Sequence, residues 1–173
     1  MVPNEFNEQV LNDELAVERG RAAKDGLGLV GRVRIEHRGA TGDLLGEREF
    51  KNAIANTGRG GIANHILGNI TTPFKAIGVG TGVVAATWSD TALGTEVFTR
   101  VWGAGTVQVT DTASDTAQVV GTFTFTANTF AITECGLFDN TPTGGTLLAR
   151  QAFAALNVAV GDSLQITWKI DID

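Results

Sequence analysis

The 173-residue sequence contains no tyrosine and only one cysteine. A single cysteine, Cys135, excludes an intrachain disulfide, and a lone cysteine in an apolar stretch is usually a small buried side chain. No apolar run approaches the roughly 18 residues that a membrane-spanning helix needs. Residues 1–20 also lack the basic-then-apolar pattern of a secretory signal. We therefore expect a protein that is made in a cytoplasm and makes no contact with a membrane.

Positively charged residues are few, and charged residues of both signs become less frequent toward the C-terminus. The net charge is −6, whereas nucleic-acid binding requires a basic face, so we expect no nucleic-acid partner. Residues 1–52 carry 8 Lys or Arg and 10 Asp or Glu, and residues 53–173 carry only 5 and 9. A sparsely charged surface suits packing against other proteins.

Glycine and threonine are abundant and indicate β-structure with turns. There are 22 glycines, and 20 of the 22 threonines lie after position 70. The C-terminal stretch "SLQITWKIDID" alternates most cleanly, and one face carries Leu164, Ile166, Trp168, Ile170 and Ile172. Short strands with turn signals at this spacing predict a mainly β fold, an antiparallel β-sandwich or barrel-like domain over residues 27–173.

Two segments depart from the β pattern. Residues 53–68 predict one short helix near 57–67, capped by Asn56 or Thr57 and ended by Gly68. Its core-facing residues are predicted to be Ile62, Ile66 and Leu67. Residues 1–26 predict a partly helical N-terminal arm with a thin apolar stripe, which is either a solvated terminus or a segment that orders against a neighbouring subunit.

The stretch "GVGTG" raises the question of a phosphate-binding loop. A P-loop needs a Lys and a hydroxyl residue after its last glycine, but no Lys follows Gly82 until Lys169. A dinucleotide fingerprint needs a third glycine three residues on and then a helix, and residues 83–91 favour a loop. We expect Gly78, Gly80 and Gly82 either to adopt unusual backbone angles or to let another backbone approach closely.

The nucleophilic and metal-binding residue types form no catalytic pattern. His37 and His65 are not spaced as metal ligands are. Cys135 and a histidine could form a nucleophile–base pair, but any chain with one cysteine and two histidines offers that possibility. Packing is the simpler interpretation for all three. The carboxylate pairs Glu134/Asp139 and Asp111/Asp115 need not converge, and a calcium site would require more oxygen ligands. We therefore assign no catalytic residue, no cofactor and no metal ligand.

Isolated charges in the uncharged region are more informative. Glu96 and Arg100 predict a buried or interfacial ion pair, with Arg150 and Glu134 as alternative partners. The expected role of such a pair is to fix register rather than to catalyse.

The order of several segments resembles a family of structural proteins in tailed-bacteriophage virions. The segments run "KNAIANTGRGGIANHILG", "FKAIGVGTG", "SDTALGTEV", "ITECGLFD", "GGTLLARQAF" and "DSLQITWKIDI", and they cover residues 51–173. Residues 1–50 lie outside the resemblance. Cys135 departs from the small or aliphatic residue expected there, which affects packing only.

The resemblance implies a non-enzymatic protein of the virion that binds other virion proteins and forms a homo-oligomer. The first expectation is a capsid decoration or cement protein that binds the major capsid protein in the assembled head. The alternative is a tail, baseplate or fibre-attachment protein. A carbohydrate-binding β-sandwich is a third, less favoured hypothesis, because only Trp88 and Trp102 are candidates for an exposed aromatic platform.

Overall fold

The computed structural model describes residues 28–111 and 113–172 of the chain, so the predicted arm at residues 1–26 lies outside the described residues. Nine strands and one helix form the described part. In chain order they are β1 (Leu29–Arg38), β2 (Leu44–Ile54), α1 (Asn56–Ile66), β3 (Ala76–Gly80), β4 (Val101–Trp102), β5 (Ala104–Gln108), β6 (Thr116–Thr124), β7 (Phe130–Phe138), β8 (Leu147–Val158) and β9 (Ser163–Ile172).

The strands form one antiparallel sheet that is nearly closed into a barrel. Their order is β4-β3-β7-β8-β2-β1-β9-β6-β5. The two end strands, β4 and β5, are consecutive in the chain and are separated only by Gly103. The chain therefore passes from one end of the sheet to the other at this glycine, whose N–H donates to the Lys75 carbonyl at 2.7 Å. The predicted mainly β, barrel-like class is confirmed.

The core fills the inside of this barrel because the strands alternate as their sequences predict. On β9, Leu164, Ile166 and Trp168 are fully buried. They face Val33 and Ile35 across the β1–β9 register, in which Val33 pairs with Trp168. The predicted apolar face of β9 is therefore correct except at its end, where Ile172 is 45% exposed.

The predicted helix exists, but its cap and its buried face differ from the prediction. It spans Asn56–Ile66 and begins after Ala55, which makes no side-chain cap. Ile62 is half-buried against the core as predicted, whereas Ile66 and Leu67 are exposed, at 78% and 73%. The helix also contacts β8 through glycine, because a Cβ on Gly58 would collide with the Leu148 backbone. Gly68 ends the helix as predicted, with φ +72°.

The join between β2 and β8 is the shortest between long strands. Only Ala53 and Ile54 of β2 pair with β8. Beyond them the strands diverge, and the rings of Phe50 and Phe153 stack across the opening with centroids 5.8 Å apart. The Arg48 guanidinium donates to the Ala154 carbonyl and so joins the two strands where their backbones do not pair.

Candidate functional site: a loop held by buried charge

The glycines of "GVGTG" leave the outer face of β3 with no side chain larger than that of Ala76. A Cβ on Gly80 or Gly82 would collide with Glu134, and one on Gly80 would also meet the Thr95 carbonyl. Neither glycine has a positive φ. The close approach expected from the sequence is thus correct, and the alternative of unusual backbone angles is wrong.

The connection between β3 and β4, residues 81–100, packs directly onto this bare face. Its backbone bonds to β3, with Thr95 accepting from Thr81 at 2.9 Å and Val97 donating to Val79 at 3.2 Å. A small second core lies beneath it and consists of Ala55, Ala76, Leu93, Phe138 and Leu147. The sheet therefore has a buried outer face here as well as a buried inner one.

Glu134 is the central acceptor under the connection. It lies on β7 and is fully buried. Its carboxylate accepts from the backbone N–H groups of Gly82 at 2.9 Å, Gly94 at 3.0 Å and Thr95 at 2.8 Å. One side chain thus fixes the two ends of the segment from Gly82 to Thr95.

Arg150 of β8 extends this network outward. Its guanidinium donates to Glu134 at 2.9 Å and to Asp90 at 2.8 Å. It also donates to the carbonyls of Val84 at 3.0 Å and Ala85 at 3.5 Å. The Arg150 side chain is only 3% exposed, so these groups are held away from water. Residues 82–90 are called the clamped loop below.

The electrostatics of the network favour its charged form. Burial raises the pKa of Glu134, but the N–H donors of Thr95, Gly94 and Gly82 and the Arg150 guanidinium outweigh it, so that the net pKa lies below the ordinary value. Burial likewise raises the pKa of Asp90, and bonds from Thr87 and Arg150 lower it overall. A buried carboxylate held ionised in this way is a structural acceptor and is poorly suited to donate a proton to a substrate.

The clamped loop presents apolar side chains on its outer side. Val83 is 80% exposed, Val84 is 72% exposed and Trp88 is 66% exposed. The backbone beneath them is held, because the Trp88 carbonyl accepts from Asn56 at 2.8 Å and Thr87 donates to Asp90 at 2.9 Å. The arrangement is a rigid backbone with an apolar surface, which is the form of a protein-docking site.

The predicted Glu96–Arg100 pair is confirmed, with an Nε–Oε1 distance of 2.7 Å. Arg100 is buried, stacks on the Phe138 ring at 3.4 Å and donates to the carbonyls of Asn140 and Gly144. Glu134 and Arg150 form a second pair of their own. The sequence offered these four residues as alternative partners, and the structure separates them into two pairs. Glu134 and Arg150 hold the backbone of residues 82–95, whereas Glu96 and Arg100 join the last part of the connection to the turn after β7.

The histidines and the cysteine lie apart from one another. His37 is buried and its Nε2 lies 2.8 Å from Asp162. His65 packs edge-on against Phe74 with centroids 5.3 Å apart. Cys135 is fully buried on the inner face of β7, where burial raises the pKa of its thiol. The structure therefore brings no Cys–His pair together among these residues, as the packing interpretation predicted.

Carboxylates from both predicted pairs accept hydrogen bonds from backbone N–H groups. Asp115 accepts from the N–H groups of Thr110 and Asp111, both at 2.8 Å, and Asp139 accepts from Thr146 at 2.6 Å. Glu134 and Asp139 thus have separate partners. Within residues 28–111 and 113–172, no group of three or more His, Cys, Asp or Glu side chains is placed to hold a metal ion.

Sequence reasoning missed Asp90, which pairs with the buried Arg150, and Asp162, whose carboxylate lies 2.8 Å from the His37 Nε2. Asp90 lies in a stretch of loop-forming residues, "TWSDT", where a solvated carboxylate is the usual expectation. One signal could have identified Asp90. If Glu134 were the only partner of a buried Arg150, several N–H donors of that arginine would have no acceptor.

The fold and the loop together define a class: a barrel-like antiparallel β domain that presents a fixed apolar loop. No protein-family model matches the chain, and no curated protein or solved structure is significantly similar to it. Among the described residues, no helix is long and apolar enough to cross a membrane.

Proposed function

We propose that this protein is a structural component of a tailed-bacteriophage virion, and that it decorates or cements the capsid by binding the assembled head lattice. Two observations support the proposal. The order of segments over residues 51–173 resembles that of such proteins, and the clamped loop offers an apolar contact surface. The same surface would serve a tail, baseplate or fibre-attachment protein, which is the alternative.

The clamped loop is the observation that carries the docking role. Binding sites gain affinity when their backbone is ordered before the partner arrives, because less conformational entropy is lost. Tryptophan is among the residues that most often dominate interface energy. Trp88, with Val83 and Val84 beside it, sits on a backbone that Glu134 and Arg150 already fix.

Contact rather than catalysis is the mechanism of this proposal. The partners are other virion proteins and further copies of this chain in a homo-oligomer, and each apolar contact adds on the order of one or two kcal/mol at its hot spots. A shell repeats that contact many times. We expect no reaction, no cofactor, no nucleic acid and no membrane to be involved.

A matched pair of double variants tests the docking surface. We expect V83S/V84S to bind particles that lack this protein at least tenfold more weakly than the unaltered chain, measured by co-sedimentation, because about 1.4 kcal/mol of lost contact gives this factor. V107S/V109S is the control, since those valines are also exposed, at 64% and 68%, but lie at β5. Equal binding by both variants would contradict the assignment of the docking surface.

Carbohydrate binding is the second candidate function, and Trp88 favours it because an exposed indole can stack on a sugar ring. Trp102 is a poorer platform, since the Lys75 ammonium lies 5.7 Å from its ring centroid. If V83S/V84S still binds a glycan-coated surface and W88A does not, the result would favour carbohydrate binding over the virion proposal.

A further inference from the structure

Three cations lie side by side on the outer face of the barrel. Arg32 of β1 pairs in register with Lys51 of β2 on one side and with Lys169 of β9 on the other. All three are exposed. Neighbouring strands lie about 4.8 Å apart, so the three side chains form a row across the sheet. We call Lys51, Arg32 and Lys169 the basic row.

The basic row has no partner in the described part of the chain. None of the three side chains makes a hydrogen bond or an ion pair with the described residues. Arg34, one row further along, is by contrast paired with Glu47 at 2.8 Å. Like charges placed directly opposite each other destabilise a sheet, so the row carries a cost that an anionic partner would remove.

Nearby carboxylates do not neutralise the row. Glu49 lies in the next row, opposite Arg34. Asp171, two residues beyond Lys169, is buried and accepts from Thr116 at 3.1 Å. The outer face around the row is a shallow groove of about 470 Å³ lined by the cations Arg32, Arg34 and Lys169 and by the carboxylates Glu36, Glu47 and Glu49, of which Glu36 and Glu47 pair with Arg34.

The chain before β1 supplies a segment of complementary charge. Residues 4–18 contain no Lys or Arg and five carboxylates, which are Glu5, Glu8, Asp13, Glu14 and Glu18. The described chain starts beside the basic row: Leu29 pairs with Ile172 at the start of β1, and Arg32 follows three residues later, about 10 Å away along the strand. The eleven residues from Glu18 to Leu29 span up to roughly 36 Å, which is ample to turn back to the row.

We propose that the basic row binds the acidic segment of residues 4–18 of its own chain. The same segment of a second copy could also bind the row, but the covalent link between residues 4–18 and β1 favours the segment of the same chain. A short linker that can span the two sites gives an effective concentration in the millimolar range, above that of free protein in dilute solution. The interaction is electrostatic and exposed, so it weakens as salt rises.

Zero-length carbodiimide cross-linking of the full-length protein tests this directly, because the reagent joins a lysine amine only to a carboxylate in contact with it. We expect Lys51 and Lys169 to cross-link to the carboxylates of residues 4–18 at low salt. R32Q should reduce the yield about fivefold, which corresponds to roughly 1 kcal/mol of exposed charge interaction. Glutamine adds no carboxylate, so R32Q leaves the set of reacting groups unchanged, whereas a glutamate at this position would compete for Lys51 and Lys169, which lie opposite it.

Two controls complete the test. R59E removes an exposed cation from α1, outside the basic row, and should leave the cross-links unchanged. An equal mixture of unlabelled and ¹⁵N-labelled chains should give cross-links within one chain only. Mixed-isotope cross-links would overturn the proposal in favour of a second copy. A yield that neither R32Q nor raised salt changes would overturn it altogether.

A second measurement does not depend on cross-linking. Replacing the five carboxylates of residues 4–18 by their amides should raise the rate at which Lys51 and Lys169 are acylated by a small reagent. The rate at Lys75 should stay the same. Equal rates at the two basic-row lysines before and after this change would contradict docking of the segment.

Discussion

Glu134 joins the two ends of the segment from Gly82 to Thr95 through a single buried carboxylate, so its charge is the first residue-scale test. We expect E134Q to destabilise the protein by about 3–5 kcal/mol, because it removes the fully buried one of the two counter-charges of Arg150, which are Glu134 and Asp90. The measurement is the free energy of unfolding in urea.

The matched control for that variant is E47Q. Glu47 pairs with Arg34 on the exposed face, where an ion pair contributes little. A loss of stability in E134Q no larger than that in E47Q would show that the buried pair does not hold the fold.

The pH dependence of stability follows from the same carboxylates. The folded pKa values of Glu134 and Asp90 lie below their ordinary ones, so the unfolded chain takes up protons first as pH falls. The stabilisation is fully present above about pH 5 and is lost as pH falls through the ordinary carboxyl pKa values near 4 and below. We expect urea midpoints of the unaltered protein to drop over this range, and those of E134Q to drop less. Parallel curves would contradict the assignment.

Trp168 tests the core at the same scale. It is fully buried while Trp88 is 66% exposed, so we expect W168A to cost about 3–5 kcal/mol and W88A almost nothing. W168F should cost much less than W168A, because the Trp168 Nε1 has no hydrogen-bond partner to lose. Melting of W168A within a few degrees of the unaltered protein would show that the register of β9 is wrong.

At the scale of elements, the β3–β4 connection depends on glycines as well as on the buried charged side chains. We expect G80A to destabilise the protein by about 1–3 kcal/mol, because the added Cβ meets the Thr95 carbonyl and Glu134. Amide exchange of Thr81 should also quicken, since its N–H donates to Thr95. G46A is the control, because no atom lies within 4 Å of its Cβ position. Unchanged exchange at Thr81 in G80A would argue against a clamped loop.

The elements differ in how far the sequence predicted them. The alternation in β9 is strict, so its strand, its face and its burial followed from a period of two up to the exposed Ile172. The helix did not follow in the same way. The helix contacts β8 through Gly58, and a glycine adds nothing to the apolar pattern of the sequence. Ile66 and Leu67 do fit the pattern of a buried face, although both are exposed.

The candidate site was predicted in part for a similar reason. The isolated charges Glu96, Arg100, Glu134 and Arg150 identified the buried ion pairs, because a lone charge in an uncharged region needs a partner. The pairing itself depends on which strands are neighbours. Glu134 and Arg150 meet because β7 and β8 are adjacent, and local sequence does not encode that adjacency.

At the scale of the whole molecule, the near-closure of the sheet determines which surfaces remain for partners. The end strands β4 and β5 follow each other through Gly103, so the ends of the sheet come together there. Side chains on the outside are what remains for contact. The clamped loop supplies an apolar surface, and the basic row is the surface that we propose for the chain's own acidic segment.

The central claim is that this protein is a repeated structural part of a virion head, and counting it in purified particles tests that claim most directly. Quantitative mass spectrometry of virions purified from cells that produce this chain should give a copy number comparable with that of the major capsid protein. A number equal to a single ring of subunits would contradict the head assignment and favour the tail or a vertex. Absence from the particles would contradict the account as a whole.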